Sequence, residues 1–241
     1  MITEPLLELY RSHLDGLMAF GEEVGDEDCD GPFLMAEPSL EFQEAEHRLL
    51  VVGQETNGWV GGFGGSSEAD IDHCLDTFKK FNFGERYRNL FFPYARELAS
   101  ELTGGTHWMW SNLFKFGKAS GKGAPSGKVN ELELKHFNVL QEEIKIVNPT
   151  CVVFMTGPNY DHILEQRIPD SAFNEMGGFT LRQLARVSSD SLPEASYRIY
   201  HPGYGNRNLT MYRGTLDLIR EDYRMRGNTG PSRRLITYRA Q

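Results

Sequence analysis

Cysteine is scarce in this chain, and no apolar run approaches membrane length. Cys29, Cys74 and Cys151 are an odd number spread over 241 residues, with no C-x-x-C pair. That argues against a disulfide framework or a cysteine zinc site and suits a reducing cytoplasm. No apolar segment nears the ~20 residues that cross a bilayer, and the opening "MITEPLLELYRSHLDG" carries acids where a signal peptide carries none. The phosphate signature G-x-x-x-x-G-K-[ST], the dinucleotide spacing G-x-G-x-x-G and the G-x-S-x-G elbow are all missing. The histidines (His13, His47, His73, His107, His136, His162 and His201) are scattered, with no ligand pair beside a carboxylate. No metal and no cofactor are therefore expected. There is no internal repeat and no long low-complexity linker.

Charge of positive sign is also in short supply overall, with a formal net charge of −9. Its distribution is uneven. Residues 1–50 hold 13 Asp/Glu against 2 Arg, whereas residues 211–241 hold 7 Arg against 3 acids. Residues 111–128, "SNLFKFGKASGKGAPSGK", contain four Lys and no acid. A phosphate-binding surface needs local rather than global positive charge, so a nucleic-acid partner stays open. Solvated surface charge is the plainer reading of any one patch.

Four short segments read as buried strands: 47–53 "HRLLVVG", 106–114 "THWMWSNLF", 150–157 "TCVVFMTG" and 196–203 "SYRIYHPG". Helical patterns run over 66–81, 86–102, 130–149 and 209–225, with Pro93 expected to kink or divide the second. Alternating strands and helices predict an α/β fold, a three-layer α/β/α sandwich around a central four-stranded, mostly parallel sheet. Residues 1–45 are expected to be an acidic helical extension and 46–241 the domain proper. Ligands of such folds collect at the carboxyl ends of the strands. Three of the four strands end in chemistry-bearing residues: Gln54, Glu55, Asn57 and Trp59 after the first, Asn112 and Lys115 after the second, His201, Tyr204 and Arg207 after the fourth.

The order and spacing of these groups resemble the uracil-DNA glycosylase superfamily. "GQETNGW" stands where the family has GQDPYH or a shortened GxxPG, and "NLFK" where it has NxxK. "NPTCVVFMTG" fits the third-strand pattern, and "HPGYGNRN" takes the place of HPS and its groove-entering loop. The likeness spans roughly residues 47–210, in family order. It implies a monomeric DNA glycosylase that hydrolyses the bond between sugar and a flipped-out base. Glu55 would orient water and favour the sugar cation, and His201 would donate to the departing base. Gln54 would line the pocket through its backbone, and Asn112 would read a pyrimidine edge. Trp59, Phe63 or Phe114 would stack on the base. Lys115, Lys118, Lys122, Lys128, Tyr204 and Arg207 would meet the DNA backbone.

The departures carry expectations too. Glu55 replaces an Asp, and Thr56 replaces the Pro of the first motif. Asn57 stands where GQDPYH has a Tyr that closes the pocket against a 5-methyl group, which implies room beside pyrimidine C5. The groove loop lacks a Leu wedge, favouring single strands or bases already modified. Two other functions remain open on the residues alone: a catalytically silent nucleic-acid-binding module of the same fold, and a hydrolase acting on free nucleosides or nucleotides. Repair and defence against foreign modified DNA fit an excising enzyme equally.

Overall fold

Five consecutive buried residues, "LLVVG", form the strand around which the sheet is assembled. In the computed structural model, which describes residues 4–63, 65–85, 89–105, 108–204 and 209–227, this strand is β1 (Leu49–Gly53). It lies between β2 (Trp108–Asn112) and β3 (Cys151–Phe154), both parallel to it. The edge hairpin is β4 (Ala172–Glu175) with β5 (Leu184–Ser188), and β6 (Ser196–Ile199) joins it to β3. The order is β2-β1-β3-β6-β5-β4. The fold is α/β, as the sequence predicts, but the sheet has six strands rather than four. β2, β1, β3 and β6 are parallel, while β5 runs antiparallel to both of its neighbours, β6 and β4. The four expected strands are buried at every position, the mark of a strand covered on both faces. β4, "AFNE", is mostly exposed and lacks that mark.

The helices are α1 (Pro5–Ser12), α2 (Leu14–Val24), α3 (Leu40–Glu44), α4 (Glu68–Phe81), α5 (Phe91–Thr103), α6 (Gly127–His136), α7 (Leu140–Val147), α8 (Asp161–Arg167) and α9 (Leu209–Gly227). α4 starts on Ser67, whose side chain accepts from Asp70 N, and stops at Asn82 with φ +46°. α5 starts at Phe91, so Pro93 falls in its first turn, where no intrahelical donor is lost and no kink follows. The helix expected over 130–149 is two helices instead. Phe137 leaves the helical conformation and, fully buried, packs against Tyr10 and Phe116.

Residues ahead of β1 supply part of the same core. Leu6, Tyr10, Leu17, Phe20, Phe33, Leu34 and Met35 are all fully buried. Tyr10 Oη donates to Glu143 Oε1 at 2.8 Å and accepts from Met35 N, joining α1 and the following segment to α7. Among the described residues no helix is long and apolar enough to cross a membrane.

Candidate active site

The connections leaving β1 and β2 run to opposite sides of β1, so a crevice opens at its carboxyl end. Gly53 closes β1 in register with Asn112 of β2. A Cβ at Gly53 would lie 2.4 Å from Asn112 Oδ1 and 3.3 Å from the Phe91 ring, so only glycine fits between them. Gln54 fastens the crevice. Its carbonyl accepts from Phe114 N at 2.9 Å, and its Nε2 donates to Thr156 O at 2.6 Å, tying β1 to the end of β3.

Glu55 is the next residue and is half-buried. Tyr160, in the single helical turn Pro158–Tyr160 after β3, donates its hydroxyl to Glu55 Oε2 at 2.9 Å. Burial pushes the Glu55 carboxyl above its ordinary value, and the Tyr160 hydrogen bond and the Lys118 charge pull it partly back. Burial and the neighbouring carboxylate together push the Tyr160 phenol up, so it stays a donor.

Asn112 is buried to 1 % exposure. Its Oδ1 accepts from Trp110 Nε1 at 3.1 Å, but its Nδ2 has no partner, and neither has Thr156 Oγ1 at the end of β3. An orphaned buried donor costs about 1–3 kcal/mol, so its presence at a strand end calls for a ligand. His201, just after β6, stacks on Phe91 with ring centroids 5.9 Å apart and planes 19° apart. Its Nδ1 accepts from Gly203 N at 3.0 Å, which puts the proton of the neutral ring on Nε2. Tyr204 is half-exposed, and its ring stacks on Tyr200 at 5.4 Å.

Gln54, Glu55, Asn112 and His201 lie at the carboxyl ends of β1, β2 and β6 around this crevice. Phe91 and Tyr160 join them without having been expected. Phe91 reads as one more apolar position of a helix, and nothing in its letter separates it from the neighbouring core residue Phe92.

Other expected residues are committed elsewhere. Phe63 is engaged with the protein's own rings: it lies beside the stacked Phe20–Phe116 pair, at 5.6 and 6.0 Å from them, and against Gly21 and Gly65. Trp59 packs with Phe33, Phe81 and Trp110 at 5.1–5.7 Å and belongs to the same aromatic cluster. Phe114, 1 % exposed, meets Tyr160 edge-on at 6.1 Å. The glycine-rich loop itself hangs on Asp30, which the sequence reading passed over within the acidic run 26–30. The fully buried Asp30 carboxylate accepts from Trp59 N, from Val60 N at 3.0 Å and from Gly62 N at 3.1 Å. Asn57 is exposed, and its backbone bridges to Lys118, where Gly58 N donates to Lys118 O at 3.0 Å.

The basic residues divide. Lys115 is not on the surface: it is 1 % exposed, with Nζ 2.5 Å from Glu143 Oε2 and 2.7 Å from Ser111 Oγ. It follows the strand end into the core, where Glu143 neutralises it. Lys128 donates to Val24 O at 3.0 Å and so caps the carboxyl end of α2. Lys118 and Lys122 stay on the loop beside Glu55, the first half-buried and the second exposed. The loop is pinned by acids ahead of β1: Asp28 accepts from Ser120 N and Oγ, and Glu27 accepts from Ser126 Oγ at 2.7 Å. Arg207 lies outside the described residues.

Among the described residues no three His, Cys, Asp or Glu side chains are grouped to hold a metal ion. Cys29, Cys74 and Cys151 are buried and form no disulfide, and burial pushes Cys29 and Cys74 up to about 12. Compared with models of known protein families and with curated protein sequences, the chain matches none.

Proposed function

We propose that the chain is a DNA glycosylase of the uracil-DNA glycosylase type, acting in the cytoplasm as a monomer on a uracil or C5-substituted pyrimidine. One observation carries this reading: the buried Asn112, whose Nδ2 has no partner, lies beside the Phe91–His201 stack, at the strand end where Glu55 emerges. A flipped base needs a flat apolar face, a donor for its edge and a second donor for the oxygen that gains charge. Asn112 Nδ2 and His201 Nε2–H supply the two donors, and the buried Phe91 ring backs the His201 imidazole as the apolar wall. Cleavage breaks the bond between C1′ and the base nitrogen, and the electron pair leaves with the base. The ionised Glu55 faces the sugar as it becomes cationic, orients a water towards C1′ and takes its proton. The raised Glu55 carboxyl brings its proton affinity closer to neutrality, which suits a base of this kind.

The C5-substituted class follows from the resemblance, in which Asn57 stands where the first motif has a Tyr that closes the pocket; the Asn57 side chain is exposed. Lys118 and Lys122 meet the strand's phosphates. A carboxylate beside a phosphodiester opposes binding, so Glu55 favours an enzyme over a silent binding module. The test is chromatographic: oligonucleotides with a single uracil, 5-substituted uracil or modified cytosine are incubated with the protein and free base is measured. Release from one of these classes is expected. No free base from any of them overturns the enzymatic reading.

A further inference from the structure

Behind the Glu55–Tyr160 hydrogen bond lies a cavity of about 280 Å³ that the proposed reaction does not use. Tyr160 is its shared wall, with the ring lining the cavity and the hydroxyl bound to Glu55. Phe114 forms a second wall, set edge-on to Tyr160 at 79°, so the two rings make an aromatic corner. Ala124 and Pro125 close one side, and the polar groups come from Asn130, Asn159 and His162. Ligand sites of drug-sized molecules span roughly 300–1,000 Å³, so this one has room for a single base with part of its sugar.

The lining is selective in charge. None of its ten residues is acidic, in a chain with 34 Asp/Glu against 25 Lys/Arg. At the rim, Arg182 Nη2 donates to Asn159 Oδ1 at 3.2 Å and the exposed Lys122 lies on the segment that carries Ala124 and Pro125, while Glu27 accepts from Ser126 Oγ at 2.7 Å. An aromatic corner, neutral amides, an imidazole and the nearby cations Arg182 and Lys122 match a base on a phosphodiester strand and disfavour a cationic side chain or a lipid tail.

We propose that this cavity holds the base of the nucleotide adjoining the one drawn to Glu55, as a second base-binding position on the same DNA strand. That a strand passes Glu55 rests on the function proposed above. The cavity and its chemistry stand apart from catalysis. Occupancy also bears on the reaction, since a base stacked against Tyr160 fixes the ring whose hydroxyl orients the Glu55 carboxylate.

The test measures binding, not turnover. Fluorescently labelled five-nucleotide single-stranded thymidylate is titrated with the protein, and so are versions in which the nucleotide 5′ or 3′ of the centre is an abasic spacer. The intact strand is expected to bind at least about tenfold tighter than one of the two spacer strands. Ala124→Leu fills the cavity from an exposed loop position, and His162→Ala trims an exposed wall, so neither threatens the fold. Ala124→Leu should abolish the discrimination and His162→Ala should reduce it. Equal binding of all three strands by the unaltered protein overturns the proposal, as does full discrimination by Ala124→Leu, or no binding of any strand. Discrimination without release of any base sinks the enzymatic reading and leaves the second position standing.

Discussion

The Tyr160 hydroxyl donates a 2.9 Å hydrogen bond to Glu55 Oε2 across the crevice between β1 and β3. This bond favours the ionised carboxylate, while burial opposes it. Tyr160→Phe removes the favourable part, so the Glu55 carboxyl rises further. The acid limb of the pH–rate profile should therefore move to higher pH, with the plateau rate at alkaline pH lowered less than the rate at neutral pH. A limb that stays in place would mean that Glu55 is not the titrating group. Glu55→Gln should lower the rate roughly 10²–10⁴-fold, the usual contribution of general acid–base catalysis.

The same residue predicts a stability change of opposite sense. The folded-state carboxyl of Glu55 lies above its ordinary value, so its contribution to stability is present below that value and lost as pH rises through the raised one. Glu55→Gln, which still accepts from Tyr160, should melt at a higher temperature than the unaltered protein at about pH 8. The difference should close by about pH 4, where the carboxyl is protonated in both states. Thermal melts across this range check it.

Asp30 should be the tether of the glycine-rich loop. Asp30→Asn keeps the shape but weakens the bonds from Trp59, Val60 and Gly62 and turns one donor against another. Hydrogen bonds to charged groups contribute about 1.5–3 kcal/mol each, so a loss of at least about 2 kcal/mol in urea unfolding is expected. Hydrogen exchange at these three amides should quicken beyond the global change.

Lys115 should behave as a core residue. Lys115→Met leaves Glu143 with an uncompensated charge away from water, a loss of about 3–5 kcal/mol. Lys115→Met with Glu143→Leu should recover most of that stability. In the double variant the salt dependence of DNA binding should match the unaltered protein, because no phosphate contact is lost. A shallower salt slope would return Lys115 to the strand.

The four parallel strands are legible in sequence because each is a short run rich in β-branched or aromatic residues between turn residues. β4 and β5 are not: β4, "AFNE", is mostly exposed, and β5, "LARVS", breaks its buried apolar residues with Arg186 and ends on an exposed Ser188. The break at Phe137 depends on what that ring packs against, which periodicity along the chain does not contain. Glu55, Asn112 and His201 stand out because polar residues directly after buried strands have few structural reasons to be there. Phe91 and Tyr160 share the letters of core aromatics, and Asp30 hides in an acidic segment that reads as surface. Lys115 misled in the other direction, since its partner Glu143 lies 28 residues away.

Strand scission tests the central claim most directly. The protein, Glu55→Gln and His201→Ala are each incubated with single- and double-stranded oligonucleotides that contain uracil, a 5-substituted uracil or a modified cytosine, and alkali then reveals abasic sites. The account predicts scission at one class of base by the unaltered protein, and its loss in both variants. Scission that survives Glu55→Gln and His201→Ala, or no scission on any substrate, would contradict it.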